Sequence, residues 1–260
     1  MKKLRICIIG NGLSGLTSAI VLNSLNNTEV HLISKKGRNL NDKRTTAISE
    51  SNFKFLKKNI SNLSSKLFWP SKNINLFYED NNKKNINFLN FQDTNNNLMH
   101  VFENYKFRTA LLKQLKKKKI KVIKKNIQNL DTLRNYNLII LCLGSNSPIY
   151  DKVANNRSIT KNYEEISVTG YVKHKIKNLK TSQYFLSEGP LAILPFSKNS
   201  FSFVWSLNKK FYQDNSKQTS KLIKLKLMNI FKINNNFEIT NILAYPLKMG
   251  LKTKYNKKNI

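Results

Sequence analysis

Ile8-Ile9-Gly10-Asn11-Gly12-Leu13-Ser14-Gly15 is the stretch on which the reading of the fold turns. It matches G-x-G-x-x-G and sits between two elements that give the pattern meaning. Leu4 to Ile9 is an apolar run of the kind that forms a strand buried on both faces. Leu13 to Leu25 carries apolar residues at Leu13, Leu16, Ala19 and Ile20, the spacing of a helix. Val30 to Ile33 is a second short apolar strand. In such a strand–turn–helix–strand unit Gly10 permits the tight turn and Gly12 admits a diphosphate against the backbone. Gly15 lets helix and strand pack closely. Asn11, Leu13 and Ser14 would add backbone N–H groups at the positive pole of the helix. A purely structural glycine turn is the alternative.

The partner of such a turn is an acidic residue at the end of the second strand, about 20 residues on, which holds the ribose hydroxyls. Here the place is taken by Ser34, followed by Lys35 and Lys36. Ser34 can offer a neutral hydrogen bond only. The two lysines would suit a 2′-phosphate, so an NADP reading stays open.

Further along, Ala47 to Lys57 reads as a helix, and 74–78, 86–91 and 98–102 read as short strands between Asn-rich turns. Tyr105 to Leu115 reads as a helix ending in lysines, with 120–123 and 138–143 as further buried strands. After Pro148 the strands at 166–172, 184–186, 191–194 and 201–207 follow one another without helices. A helix over 219–231 and a strand over 237–245 close the chain. The expected class is α/β: a Rossmann-like nucleotide-binding domain with a parallel sheet over 1–150, and a mostly antiparallel sheet domain over 151–260.

Several strings resemble the FAD-dependent hydroxylases of ubiquinone biosynthesis, within the group typified by para-hydroxybenzoate hydroxylase. Asp42-Lys43-Arg44-Thr45-Thr46-Ala47-Ile48-Ser49 is similar to the family's D-x-R-x-x-A-L-S segment, and Val101-Phe102-Glu103-Asn104 to its V-x-E-N string. Gly189 to Pro195 and Val204-Trp205-Ser206 resemble strings of its substrate domain, and Tyr245-Pro246-Leu247 a further string that precedes its second cofactor segment. The resemblance implies FAD as cofactor, with Arg44 against it and Asn104 near the flavin. A surface arginine and an ordinary helix N-cap are the alternatives at those two positions. It also implies NAD(P)H as electron donor, O2 as co-substrate and a polyprenylated phenol or quinol as the ring hydroxylated. Peripheral contact with the inner face of a membrane would follow from the polyprenyl tail. Two departures stand out. In the string ending Leu143-Gly144-Ser145-Asn146-Ser147, Leu143 replaces the family's aspartate while Gly144 and Ser147 remain, and loss of that aspartate weakens the case for ordinary reduction by NAD(P)H. The family's G-D-A-A-H segment is expected directly after Ile260, so the chain reads as C-terminally shortened, with weak FAD binding and an exposed final strand edge.

The net charge of +32, from 46 basic and 14 acidic residues, invites a nucleic-acid reading. The lysines, however, are scattered among asparagines and isoleucines instead of gathered along one groove with aromatics, so nucleic acid is not expected. Cys7 and Cys142 fall in apolar runs and suggest a reducing cytosol. No run of eighteen apolar residues occurs and no secretory leader is read. His31, His100 and His174 are too dispersed for a metal site, and no catalytic base is legible. His174 reads as an exposed strand residue, with a ring-facing role as its alternative. Three readings therefore stand: a flavin monooxygenase, an NADP-binding reductase-like protein, and a basic binding protein that keeps the fold without turnover.

Overall fold

The computed structural model describes residues 3–35, 42–144, 147–153, 158–232 and 237–260. It begins with the expected unit: β1 (Leu4–Ile9), α1 (Leu13–Leu22) and β2 (Thr28–Ser34). The helix stops three residues short of the expected Leu25, because the Asn26-Asn27 turn takes over and Asn27 adopts a left-handed φ of 57°. Next come β3 (Thr45–Ser49), α2 (Glu50–Asn59), β4 (Trp69–Ser71), β5 (Asn73–Glu79), β6 (Asn85–Gln92), β7 (Met99–Glu103) and α3 (Asn104–Lys117). Then follow β8 (Lys121–Lys124), β9 (Leu138–Leu141), α4 (Ile149–Val153), β10 (Ser158–Lys173), β11 (Thr181–Leu186), β12 (Gly189–Ser197) and β13 (Ser200–Asn208). The chain closes with α5 (Lys209–Asp214), α6 (Thr219–Phe231) and β14 (Glu238–Lys252).

The expected helix over 47–57 is half strand. Thr45, Thr46 and Ile48 are β-branched, and β3 pairs antiparallel with β7 before Ser49 caps α2 by accepting from Asn52 N. Strand β9 ends at Leu141, before Cys142 and Leu143. The late strand runs on to Lys252, well past Tyr245.

Three sheets organise the described residues. The parallel one has the order β8-β2-β1-β9. On one face α1 and α3 bury Leu16, Ala19, Ile20, Phe107 and Leu111 against Ile6, Ile8, Val30 and Leu32. On the other, Cys7, Ile9, Ile33 and Ile139 form a second apolar layer, which also receives Leu133 and Ile260. Burial on both faces is what the continuous apolar runs foretell. A small sheet, β3-β7-β4, stands between this unit and a large one of order β14-β10-β13-β12-β11-β5-β6. The large sheet is antiparallel except where β11 meets β5. Residues 73–92, placed by sequence within 1–150, thus supply two strands to the sheet built mainly from 158–252.

One face of the large sheet carries α6, whose Ile223 and Leu227 pack on Val168, Leu191, Ile193, Phe203 and Trp205. Trp205 is fully buried and its indole N–H donates to Gly189 O at 3.2 Å. Its replacement by alanine is expected to cost about 3–5 kcal/mol of stability, read by urea unfolding. No helix is long and apolar enough to cross a membrane among the described residues.

Candidate dinucleotide site

The turn after β1 is built around two missing side chains. Gly10 has φ +118°, and a Cβ there would lie 2.0 Å from the carbonyl oxygen of Cys142. A Cβ on Gly15 would lie 1.9 Å from the carbonyl oxygen of Gly10. Both are backbone collisions that no rotamer relieves. Gly12 differs: it is the N-cap of α1, makes no side-chain cap, and a Cβ there would meet nothing within 4 Å. The first α1 amide to find a carbonyl one turn back is Leu16 N, which donates to Gly12 O at 3.0 Å. The amides before it face outward unpaired by helix geometry, and the first turn holds no acidic residue to neutralise them. Leu13 turns its side chain to the core, so its contribution there is backbone only. Asn11 is half-buried and Ser14 exposed beside the opening. The open space over Gly12 fits a diphosphate.

Ser34 ends β2 with its hydroxyl buried and without a hydrogen-bond partner among the described residues. A polar atom buried and unpaired is unfavourable by roughly 1–3 kcal/mol, and a sugar hydroxyl would relieve it. Lys35 is exposed, while Lys36 lies outside the described residues. Gly144 follows β9 with φ +82° and open space where a Cβ would be. Ser145 and Asn146 lie outside the described residues. Tyr150, unmarked by the sequence, holds this turn: its hydroxyl accepts from Leu143 N at 2.9 Å and donates to Leu141 O at 3.3 Å.

Arg44 and Asn104 come together in a second cluster. Arg44 grips Asp42 through two parallel bonds of 2.8 and 2.7 Å, and its guanidinium stands 5.1 Å from the Tyr245 ring centroid. Asn104 Nδ2 donates at 2.9 Å to Asp42 Oδ2, the oxygen that also accepts from Arg44 Nη2, and its Oδ1 accepts from the Thr46 hydroxyl at 2.6 Å. Asn104 is therefore not an N-cap: Glu103 holds that position without a side-chain bond, and Asn104 is the buried first residue of α3. Burial works to raise the Asp42 pKa, but the bonds from Arg44 and Asn104 outweigh it and hold the carboxyl at about 2. The sequence showed the D-x-R string but not that Asp42 is the hub. α3 packs along α1, which ties this cluster to the glycine turn.

Sequence reading missed two buried polar groups, one further along α3 and one on β10. Arg108, one turn past Asn104 on α3, has its Nε buried with no partner, and burial lowers its pKa. The Tyr171 hydroxyl is buried and unpaired, its pKa raised by burial and then by the charges of Glu103, Tyr105 and Asp42. Neither had a motif to announce it. His174 corrects an expectation: it is buried, accepts from Ile176 N at 3.1 Å and lies 5.3 Å from the Phe201 ring, because the chain turns back at the end of β10. His31 bonds Tyr136 and His100 bonds Glu50, so the three histidines are separate. No group of three metal-ligating side chains occurs among the described residues.

No protein-family model matches the chain, and no curated protein matches it in sequence. Solved structures do. The flavin-dependent halogenase CmlS superposes with a TM-score of 0.65 at 15% identity, over 98% of this chain and 50% of its own. 2-Methyl-3-hydroxypyridine-5-carboxylic acid oxygenase superposes with 0.70 at 11% identity, over 100% and 74%. PqsL of Pseudomonas aeruginosa, described as a probable FAD-dependent monooxygenase, gives 0.69 at 9% identity, over 92% and 73%. The chain thus has the fold shared by flavin-dependent monooxygenases and halogenases and spans between half and three quarters of these three proteins.

Two measurements test the site. Gly10→Ala is expected to lower the Tm sharply through its collision with Cys142, whereas Gly12→Ala leaves the Tm within a few degrees. For Asp42, whose folded pKa lies below the unfolded value, the stabilisation is present above pH ~4 and is lost as pH falls toward ~2. Asp42→Asn is expected to flatten that part of the acid-unfolding curve.

Proposed function

We propose that the chain binds FAD and belongs to an aromatic-ring monooxygenase of the ubiquinone-hydroxylase type. The observation that carries this reading is the opening over Gly12, where amides of α1 without helical partners face a point with no atom of the described residues within 4 Å of where a Cβ would lie. The diphosphate of FAD would lie there, with Asn11 and Ser14 beside it, Ser34 toward the ribose and Gly144 at the turn after β9. Bound FAD, once reduced, supplies the activation of O2 that ring hydroxylation needs.

The chain's own residues bind, orient and exclude water. Asp42 fixes Arg44 in one orientation and takes up one face of its charge, leaving a half-exposed guanidinium edge between β3 and Tyr245. Asn104 locks that arrangement from α3, and the Thr45–Ser202 hydroxyl contact of 2.5 Å joins β3 to the large sheet. Tyr171 and Tyr245 present the sheet surface against which an aromatic ring would lie. Residues 1–150 would carry most of the FAD contacts and 151–260 most of the substrate surface. A polyprenylated phenol or quinol, with NAD(P)H as donor and a location at the inner face of a membrane, is the substrate reading consistent with the quoted strings.

The test is titration of the purified chain with FAD, followed by flavin fluorescence. Saturable binding is expected, with Gly12→Ala weakening it at least about tenfold, ~1.4 kcal/mol, at unchanged Tm. Absence of saturation at about 100 µM FAD, or tight binding of NADPH in its place, overturns the proposal.

A further inference from the structure

Strand β6 ends the large sheet, pairs only with β5, and offers an open backbone edge among the described residues. Its sequence, Asn85-Ile86-Asn87-Phe88-Leu89-Asn90-Phe91-Gln92, contains no charged residue in a chain with 46 lysines and arginines. Edge strands are normally guarded by lysine, proline, a bulge or a twist. The opposite edge, β14, carries Pro246, Lys248 and Lys252. The β6 edge has no charge and no proline, and a single bulge at Phe88 is its one such device.

The register adds a second feature. Leu76 pairs with Leu89 and Phe77 with Asn87, so Phe88 is an extra residue in a bulge. Residues directly opposite share a face, which puts Ile86 with Tyr78, Leu89 with Leu76 and Phe91 with Ile74 on one side. Phe88 joins them, 6.0 Å from the rings of both Tyr78 and Phe185. Asn85, Asn87, Asn90 and Gln92 occupy the other side. The exposed apolar side chains Tyr78, Ile86, Phe88, Leu89, Phe91 and Phe185 therefore make one surface at the open edge.

We propose that this edge pairs with β6 of a second copy of the chain, antiparallel about a twofold axis between Phe88 and Leu89. The strand reads nearly the same in both directions. With the axis there, Ile86 lies opposite Phe91 of the second copy, Phe88 opposite Leu89, Asn87 opposite Asn90 and Asn85 opposite Gln92. Apolar meets apolar and amide meets amide, each on a common face because the bulge restores the alternation. Just beyond the strand, Lys84 of each copy comes opposite Asp93 of the other, an opposite-charge pair at both ends. Elsewhere two chains of net charge +32 repel, so an uncharged edge flanked by complementary charges is where they can meet. A bilayer would cover the rings but leave the backbone edge unpaired, which another strand does not.

Sedimentation velocity of the full chain across a concentration series tests this. A monomer–dimer equilibrium is expected, strengthened by salt because screening weakens the overall repulsion. Leu89→Lys is expected to weaken it at least about tenfold. Phe185→Lys, on the same apolar surface but away from the edge, leaves it unchanged. Lys84→Glu weakens it, and adding Asp93→Lys restores it, a readout that mere loss of surface apolarity would not give. Circular dichroism confirms that each variant is folded. A wild-type chain that stays monomeric, a dimer indifferent to Leu89→Lys, or one lost equally in Phe185→Lys overturns the proposal. So does a monomer that sediments with phosphatidylserine vesicles, which would assign the surface to lipid.

Discussion

Where β1 meets α1, three backbone segments occupy space that a single methyl group would need. The Cys142 carbonyl lies against Gly10, and the Gly10 carbonyl lies against Gly15. That crowding brings β9 beside β1, seats α1 on the parallel sheet and aims its first amides at one place. α3, and with it Asn104 and Arg108, is positioned by packing on α1. Gly12 is the counterpart of this crowding, since glycine there leaves space unfilled. The same residue type thus serves packing at Gly10 and Gly15 and access at Gly12.

The Asp42 hub is the second organising element. A carboxylate that accepts from Arg44 and Asn104 joins β3 to the start of α3, and Arg44 reaches on to Tyr245 in the large sheet. Polar groups thereby bridge a seam between two separately cored units, one under α1 and α3, the other under α6. Bonds to a charged acceptor are stronger and more directional than apolar contacts, so they fix the relative placement of the elements that meet at the seam. The Tyr171 hydroxyl and the Arg108 Nε are buried without a hydrogen-bond partner among the described residues.

The large sheet shows how differently two edges of one layer can be treated. β14 carries Pro246, Lys248 and Lys252, while β6 is neutral, aromatic and bulged. Both faces of the sheet's centre find partners, α6 on one and the small sheet on the other. At the β5–β6 corner β5 packs through Phe77 on the core, while β6 is exposed from Ile86 to Gln92, and its exposed rings follow from that geometry.

By itself the sequence determined the elements whose signal is local. The glycine spacing and the apolar runs of β1, β2 and β9 needed no partner to be legible, and the i, i+4 pattern of α3 and α6 was readable for the same reason. Arg44 and Asn104 were legible through their strings, but their joint attachment to Asp42 was not, because Asn104, 62 positions on, meets Asp42 only once β3 and β7 pair. Ala47 and Ile48 looked helical until the β7 ladder supplied hydrogen bonds that local propensity cannot register. His174 looked exposed because a strand's alternation does not reveal which loop folds over its end. The tertiary structure alone decided that residues 73–92 join the later sheet, that Ser34 is buried without a partner, and that β6 lies at an edge. Each of these depends on contacts between distant segments, whose pairing is fixed by burial across the whole fold and carries no short-range mark.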